Sequence, residues 1–501
     1  MTPTTLALWS LGSLVAGGVL GVALDAFSSR RAALLAALAG FGVAAGVSVS
    51  AVVAHVGVAS AWGSVRVGGL FATVAAVICG LGALALAGGW SELEAREWGG
   101  SIAGLMALGA AASIVMASSR DLTLLLIGLE TAAACAYALV ASGAGARARE
   151  AAIKYFIQGA IATGFFVFGM AVLLTVFVPT GDLDGLTKAL TYSAMPVSVA
   201  SAGLVLLFAA LAFKAGAAPF HSWAPDAYES APPESAAYLA SGPKLGAVSA
   251  LAILAAFAVS GPLELPLSAM LALLAVASVL VGSVAALRQR SYTRMLGYAG
   301  VAQIGYAMIG VATTHVPSVP IFFTACYALA ATGTFLSASA FRRVDPQWDG
   351  TVAGLAGMSR KAPWLSAATA VLVISLSGIP PLLGFWAKFV VFVGAIGAAQ
   401  SAFAGSGQAT LGWLYAATAS VGIVGSMISL GYYSGVLRSL YQAEADDADR
   451  KKPSSPDPVD GSPTPQRGSA GAVVIVVALL TVALGLLPLW SGVPSIWAPF
   501  S

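Results

Sequence analysis

Apolar runs of about 20 or more residues recur from one end of the chain to the other, and each matches a hydrocarbon core about 30 Å thick. Short polar or basic loops separate them. The pattern predicts an all-α polytopic membrane protein with about fourteen transmembrane helices. They fall near residues 4–26, 33–59, 65–88, 100–117, 121–143, 151–178, 195–222, 234–259, 263–287, 294–314, 318–341, 363–398, 410–437 and 469–490. The longest polar stretch, Gln442 to about Gly468, is rich in Pro, Ser, Asp and Lys and reads as a flexible loop. The first run has no basic segment ahead of it and no small-residue cleavage site, so it is expected to be a retained helix.

Composition narrows the chemistry. The chain of 501 residues is 58% hydrophobic and 9% charged, which leaves no soluble domain. Cys79, Cys135 and Cys326 sit in three different spans without CxxC spacing, and the three histidines are not clustered, so iron–sulfur, zinc and disulfide sites are not expected. A glycine-rich phosphate loop and a nucleotide-binding βαβ unit are also missing from the pattern. Redox or nucleotide chemistry must then belong to partners.

Fourteen spans put both termini on one face, and the basic residues sort unevenly about it. Seventeen lie in loops opposite the termini, among them Arg30, Arg31, Arg96, Arg147, Arg149, Arg288, Arg290, Arg294, Arg342 and Arg343; Arg66, Arg120 and Lys188 lie on the terminal face. This asymmetry predicts termini outside and basic loops in the cytoplasm of a bacterial cell membrane. Trp9, Trp62, Trp90, Trp98, Trp364 and Trp413 fall near span ends, where indole rings favour the interface.

Two spans must break. A helix over 363–398 would rise about 54 Å unbroken, too long for the core, and Ser377-Gly378-Ile379-Pro380-Pro381 interrupts it. A second break is expected in 195–222, where Lys214 is followed by Ala218-Pro219-Phe220-His221. Exposed carbonyls at membrane depth need protein or water around them, so both breaks imply a hydrated interior. Interrupted helices carrying one ionisable residue each are the pattern of transporters built from repeated halves. Five spans per half gives units at 100–260 and 261–441, flanked by helices 1–3 (1–99), the loop 442–468 and a last helix (469–501).

Lys154, Lys214, Lys244, Lys388 and Glu130 lie within the apolar runs. An ionisable group there costs roughly 2.5–3.5 kcal/mol on insertion scales, so its presence points to ion or proton handling. Desolvation disfavours the charged form and an opposite charge restores it, which makes a Glu130–Lys214 pair a switch. Lys244 would accept next and Lys388 would be the last station. Tyr298, Gln303, Tyr306, Tyr327, Ser375 and Ser377 could hold relay waters. His221, two turns after Lys214, either carries protons to the surface or is structural. Lys154 either joins the relay or snorkels to the interface. A static ion pair is the alternative for Lys214, Lys244 and Glu130.

The stretch Phe213-Lys214-Ala215-Gly216-Ala217-Ala218-Pro219-Phe220-His221-Ser222-Trp223-Ala224-Pro225-Asp226-Ala227-Tyr228 resembles the signature of the antiporter-like membrane subunits of respiratory complex I. That family also includes multisubunit cation/proton antiporters and membrane-bound hydrogenases. Gly378–Phe389, Glu150–Phe156 and Gln289–Tyr298 agree in order, so the resemblance spans the chain. Tyr228-Glu229-Ser230-Ala231-Pro232 is closer to one branch than to its siblings, subunits M and L. The resemblance implies two inverted five-helix bundles and a proton channel coupled to quinone reduction elsewhere in the complex. It matches Glu130 to the glutamate of helix 5, Lys154 to the start of helix 6, and Lys214, Lys244 and Lys388 to helices 7, 8 and 12. Gln303 departs from it, since relatives often carry histidine there. It implies no cofactor in this chain, flavin and iron–sulfur clusters in partner subunits, and subunits M and L, small membrane subunits and the bilayer as partners, with no nucleic acid. A sodium/proton antiporter subunit is the alternative.

Overall fold

The structure, a computed structural model, describes residues 2–27, 29–176, 182–183, 185–186, 188, 197–259, 261–405, 407–442 and 468–491. Among these, fourteen helical spans are long and apolar enough to cross a bilayer. The chain runs α1 (Pro3–Ala26), α2 (Arg30–Val53), a hairpin β1 (Ala59–Ala61) and β2 (Val65–Val67), then α3 (Gly69–Gly88), α4 (Trp90–Ala95), α5 (Gly99–Ser118), α6 (Leu122–Ala141) and α7 (Gly145–Val176). After α8 (Val197–Ala215) come two short helices, α9 (Trp223–Ser230) and α10 (Pro233–Leu239), and then α11 (Gly242–Ala258). The remainder is α12 (Glu264–Leu287), α13 (Tyr292–Thr313), α14 (Ser318–Val344), α15 (Met358–Lys361), α16 (Pro363–Ser377), α17 (Leu383–Ala404), α18 (Ala409–Tyr441) and α19 (Ser469–Ser491). Most of the loop expected over 442–468 lies outside the described residues.

Local chemistry sets several helix starts. Asp121 accepts from the amides of Thr123 and Leu124 at 2.8 and 2.9 Å to cap α6, and Ser291 caps α13 through the Arg294 amide at 3.3 Å. Pro363 opens α16 in the first turn, where its missing amide costs nothing.

The hydropathy pattern misjudges four boundaries. The spans expected at 33–59 and 65–88 are each shorter and flank a hairpin: α2 ends at Val53 and α3 starts at Gly69, Ala59 and Ala61 pair with Val67 and Val65, and Trp62 and Gly63 both take positive φ in the three-residue connection. Helix α7 begins six residues earlier than expected and takes in Arg147 and Arg149, because long basic side chains reach the interface from helical backbone. In the span expected over 195–222 the helix stops at Ala215, within the stretch where a break is expected. The span expected over 234–259 is interrupted between Leu239 and Gly242, just ahead of Lys244.

The core lies in the spans 233–258 and Tyr292–Thr313, each 94% buried over its apolar window, and in α14 at 83%; α7, at 28%, is peripheral. On one face the span ends are tied by ion pairs. Arg343 meets Glu92 at 2.8 Å, Arg96 meets Glu234 at 2.9 Å, Lys361 meets Asp345 at 3.0 Å, and Arg31 pairs with Glu94. The Tyr292 amide donates to Gly350 at 2.9 Å, the Gly357 amide to Gln442 at 3.0 Å, and Ser469 Oγ to the Gly88 carbonyl at 2.9 Å. These basic loops therefore share a face, as alternating spans require.

A buried lysine row between two interrupted helices

Both interrupted helices end in the same way. At the close of α8, Gly216 has φ +83°, its amide bonds Phe213 O at 3.0 Å, and the Ala217 amide bonds Ala212 O at 2.9 Å. At the close of α16, Gly378 has φ +85°, its amide bonds Ser375 O at 2.9 Å, and the Ile379 amide bonds Ile374 O at 3.4 Å. Each is a Schellman stop, with glycine in the left-handed conformation that a side chain would strain. A Pro follows within three residues in each case, and neither helix can continue.

Stopping a helix at membrane depth frees carbonyls that water cannot reach freely, and the fold brings donors to them. At the second break Gln303 Nε2 donates to Leu376 O at 2.9 Å, and Lys388 Nζ donates to Ser377 O at 2.9 Å. At the first, Trp223 Nε1 donates to Phe213 O at 3.0 Å, and the Ala218 amide donates to Ser278 Oγ at 2.8 Å. Lys388 thus closes the break in its own span, and Ser426 Oγ, 2.8 Å away, is its second neutral acceptor.

Lys214, Lys244 and Lys388 are 2%, 1% and 5% exposed. The ammonium of Lys214 lies 5.9 Å from the Tyr155 ring, which stacks on Trp223 at 3.9 Å. Lys244 lies between Tyr228 (5.2 Å) and Tyr327 (5.6 Å), and Lys388 is 4.8 Å from Tyr306. Aromatic faces attract cations most where water is excluded. Neither Lys214 Nζ nor Lys244 Nζ has a hydrogen-bond partner among the described residues. Gly300 makes room for Lys244: a Cβ there would stand 3.1 Å from the ammonium and 2.8 Å from the Tyr327 hydroxyl. A small cavity lined by Tyr327, Gln303, Ser375 and Lys388 carries the polar seam from Tyr327 toward the second break. Gln303 joins it to Tyr433, whose hydroxyl is 3.5 Å from the amide nitrogen.

The other expected site residues stand apart from this row. Glu130 is half-buried and accepts a hydrogen bond from Thr163 Oγ1, and no ion pair joins it to Lys214 among the described residues. Lys154 is not in the row. Its ammonium is half-exposed, 2.7 Å from Glu150 and 3.5 Å from Asp226, in a charged surface pocket where Arg294 also meets Asp226 (2.7 Å) and Glu229 (2.9 Å). The interface placement therefore describes Lys154, because α7 starts at Gly145 and carries the side chain to the surface end of the span. His221 lies in the loop after α8, its ring 6.3 Å from that of Tyr298, and no contact with the lysines is recorded among the described residues. Of the expected relay groups, Gln303, Tyr306, Tyr327, Ser375 and Ser377 surround the row. Tyr298 instead lies 5.8 Å from the Arg294 guanidinium.

Sequence reasoning did not find Tyr155, Tyr228, Ser278, Gly300, Ser426 or Tyr433. Tyr155 and Tyr228 sit inside the quoted motifs and were the ones a signal could have marked. The rest come from helices that meet the row only in three dimensions.

A bundle of spanning helices with two glycine-stopped breaks and a buried, unpaired lysine row defines an antiporter-like membrane subunit. The family described as NADH:quinone oxidoreductase/Mrp antiporter, TM, matches residues 119–412. The chain belongs to this family, in the branch of NADH-quinone oxidoreductase subunit N. The subunit N of Hirschia baltica is 34% identical over 430 residues, covering 84% of this chain and 83% of that protein. NADH-quinone oxidoreductase subunit N 2 of Acidobacterium capsulatum is 34% identical over 404 residues, 78% and 75% of the two chains. A chain of respiratory complex I from Thermus thermophilus with bound Aureothin superposes with a TM-score of 0.73 at 27% identity, covering 96% of this chain and 98% of that one. The Mrp complex from Dietzia sp. DQ12-45-1b shares the fold, with a TM-score of 0.78 at 21% identity over 100% and 96%.

Proposed function

We propose that this subunit moves protons along Lys214, Lys244 and Lys388, with Glu130 gating the first lysine and redox chemistry in other subunits supplying the free energy. The observation that carries the reading is the row itself: three buried ammonium groups held by aromatic faces and neutral oxygens, with no carboxylate paired to any of them among the described residues. A static ion-pair lock would satisfy each charge with an acid. Here each proton is held by contacts weak enough to release it, and the charge state of one lysine biases the next through a low-dielectric interior. With Glu130 bound to Thr163 the pair is in its separated arrangement, and approach of the carboxylate to Lys214 would hold a proton there.

The same reading places the basic loops in the cytoplasm and the termini outside, in a bacterial cell membrane. It takes subunits M and L and small membrane subunits as neighbours, and assigns flavin and iron–sulfur clusters to partner subunits. Outward transfer of one charge against 100 mV opposes about 2.3 kcal/mol, which the redox step must exceed. The test is coupled pumping by the assembled complex in proteoliposomes with Lys214→Ala or Lys388→Ala. Assembly and electron transfer to an artificial acceptor should persist while pumping by the chain is lost. Full pumping in both assembled variants defeats the reading, and a requirement for Na⁺ would favour the sodium/proton antiporter instead.

A further inference from the structure

Between α3, α14 and α19, with the first residue of α17 at its back, lies a groove with about 370 Å³ of free space. That volume falls within the about 300–1,000 Å³ of small-molecule sites. Its walls include Gly80 and Leu84, Ala325 and Cys326, and Leu480 and Leu484. These positions fall within the spans, at the depth of hydrocarbon rather than headgroups. Among the described residues the wall offers no hydroxyl, amide or charged side chain. Water needs two to four polar partners to stay in a cavity, so water does not fill this one. An empty groove would forfeit the dispersion contacts of its whole lining.

The groove is open on one side. Leu480 and Leu484, on its rim, are 40% and 37% exposed on the apolar outer surface of a spanning helix. It is thus continuous with the apolar outer surface of α19. A polar ligand has nothing to bind there, and a charged one would meet no counter-charge. We infer that this groove holds one acyl chain of a membrane phospholipid. Cys326 also lines the cavity beside Lys388, so the seated chain closes the apolar side of that cavity. The inference does not rest on the proton reading.

Gly80 supplies the test, because a Cβ built there meets nothing within 4 Å and a larger side chain projects into open space. The whole complex would be reconstituted in nanodiscs of phosphatidylcholine carrying a diazirine at the end of one acyl chain, irradiated, and mapped by peptide mass spectrometry. Adducts should concentrate on 77–84 and 322–329, and should fall severalfold in Gly80→Phe while labelling of other lipid-facing helices stays constant. Ala325→Phe, which plugs the groove from the opposite wall, should give the same loss if Gly80→Phe fails to assemble. Labelling of these segments no stronger than elsewhere, or labelling unchanged by both plugs, would each overturn the assignment.

Discussion

Removing the guanidinium of Arg96 should destabilise this subunit more than any exposed substitution, because its partner Glu234 cannot reach water. The Glu234 side chain is 0% exposed and the two groups are 2.9 Å apart, while Arg96 keeps 35% exposure. Breaking a buried pair from one side costs about 3–5 kcal/mol, and solvent access to the arginine side argues for the lower end, about 3 kcal/mol. That is roughly a hundredfold in the folding equilibrium. The position matters: Arg96 follows α4, in the N-terminal group of helices, and Glu234 opens α10, the short helix that leads into Lys244. Arg96→Met should therefore speed unfolding of the solubilised subunit in a denaturing detergent series. The double variant Arg96→Met, Glu234→Met should recover most of the loss, since an apolar pair of similar volume is neutral or stabilising by about 1–4 kcal/mol. If Arg96→Met matches the wild type, or if the double variant is no better than the single, the pair is not buried as described.

Gly300→Ala should cut coupled pumping while the complex assembles, because the added methyl stands 3.1 Å from the Lys244 ammonium and 2.8 Å from the Tyr327 hydroxyl; unchanged pumping would show that this spacing is not needed. Ser426→Ala removes one of two oxygens that hold the Lys388 ammonium, an interaction of about 1.5–3 kcal/mol for a charged donor, and should alter the pH profile of pumping with electron transfer intact. At the surface, the Lys361 ammonium donates to Asp345 and holds its carboxyl below the ordinary value of 3.8. Its contribution, at most about 1 kcal/mol, is therefore full above that value and is lost as pH falls below it toward the folded-state value. Acid titration of stability should show this small loss in the wild type and not in Lys361→Met.

The hydropathy pattern alone determined the number of spans, their order and the need for two breaks, because the length of an apolar run and the position of Gly and Pro act locally on the backbone. It also singled out Lys214, Lys244 and Lys388, since a charge in an apolar run is conspicuous wherever it points. For Lys154, only a few residues inside its expected span, it left two readings open, a place in the relay or at the interface. That distinction depends on where α7 starts and on Asp226, 72 residues away, meeting the ammonium at the surface. Nor could it reveal that Lys388 turns back to the carbonyl of Ser377, that Gln303 fills Leu376 O, or that Arg96 reaches Glu234. Those contacts join residues from different helices, and only the packing of the spans decides which donor meets which freed acceptor.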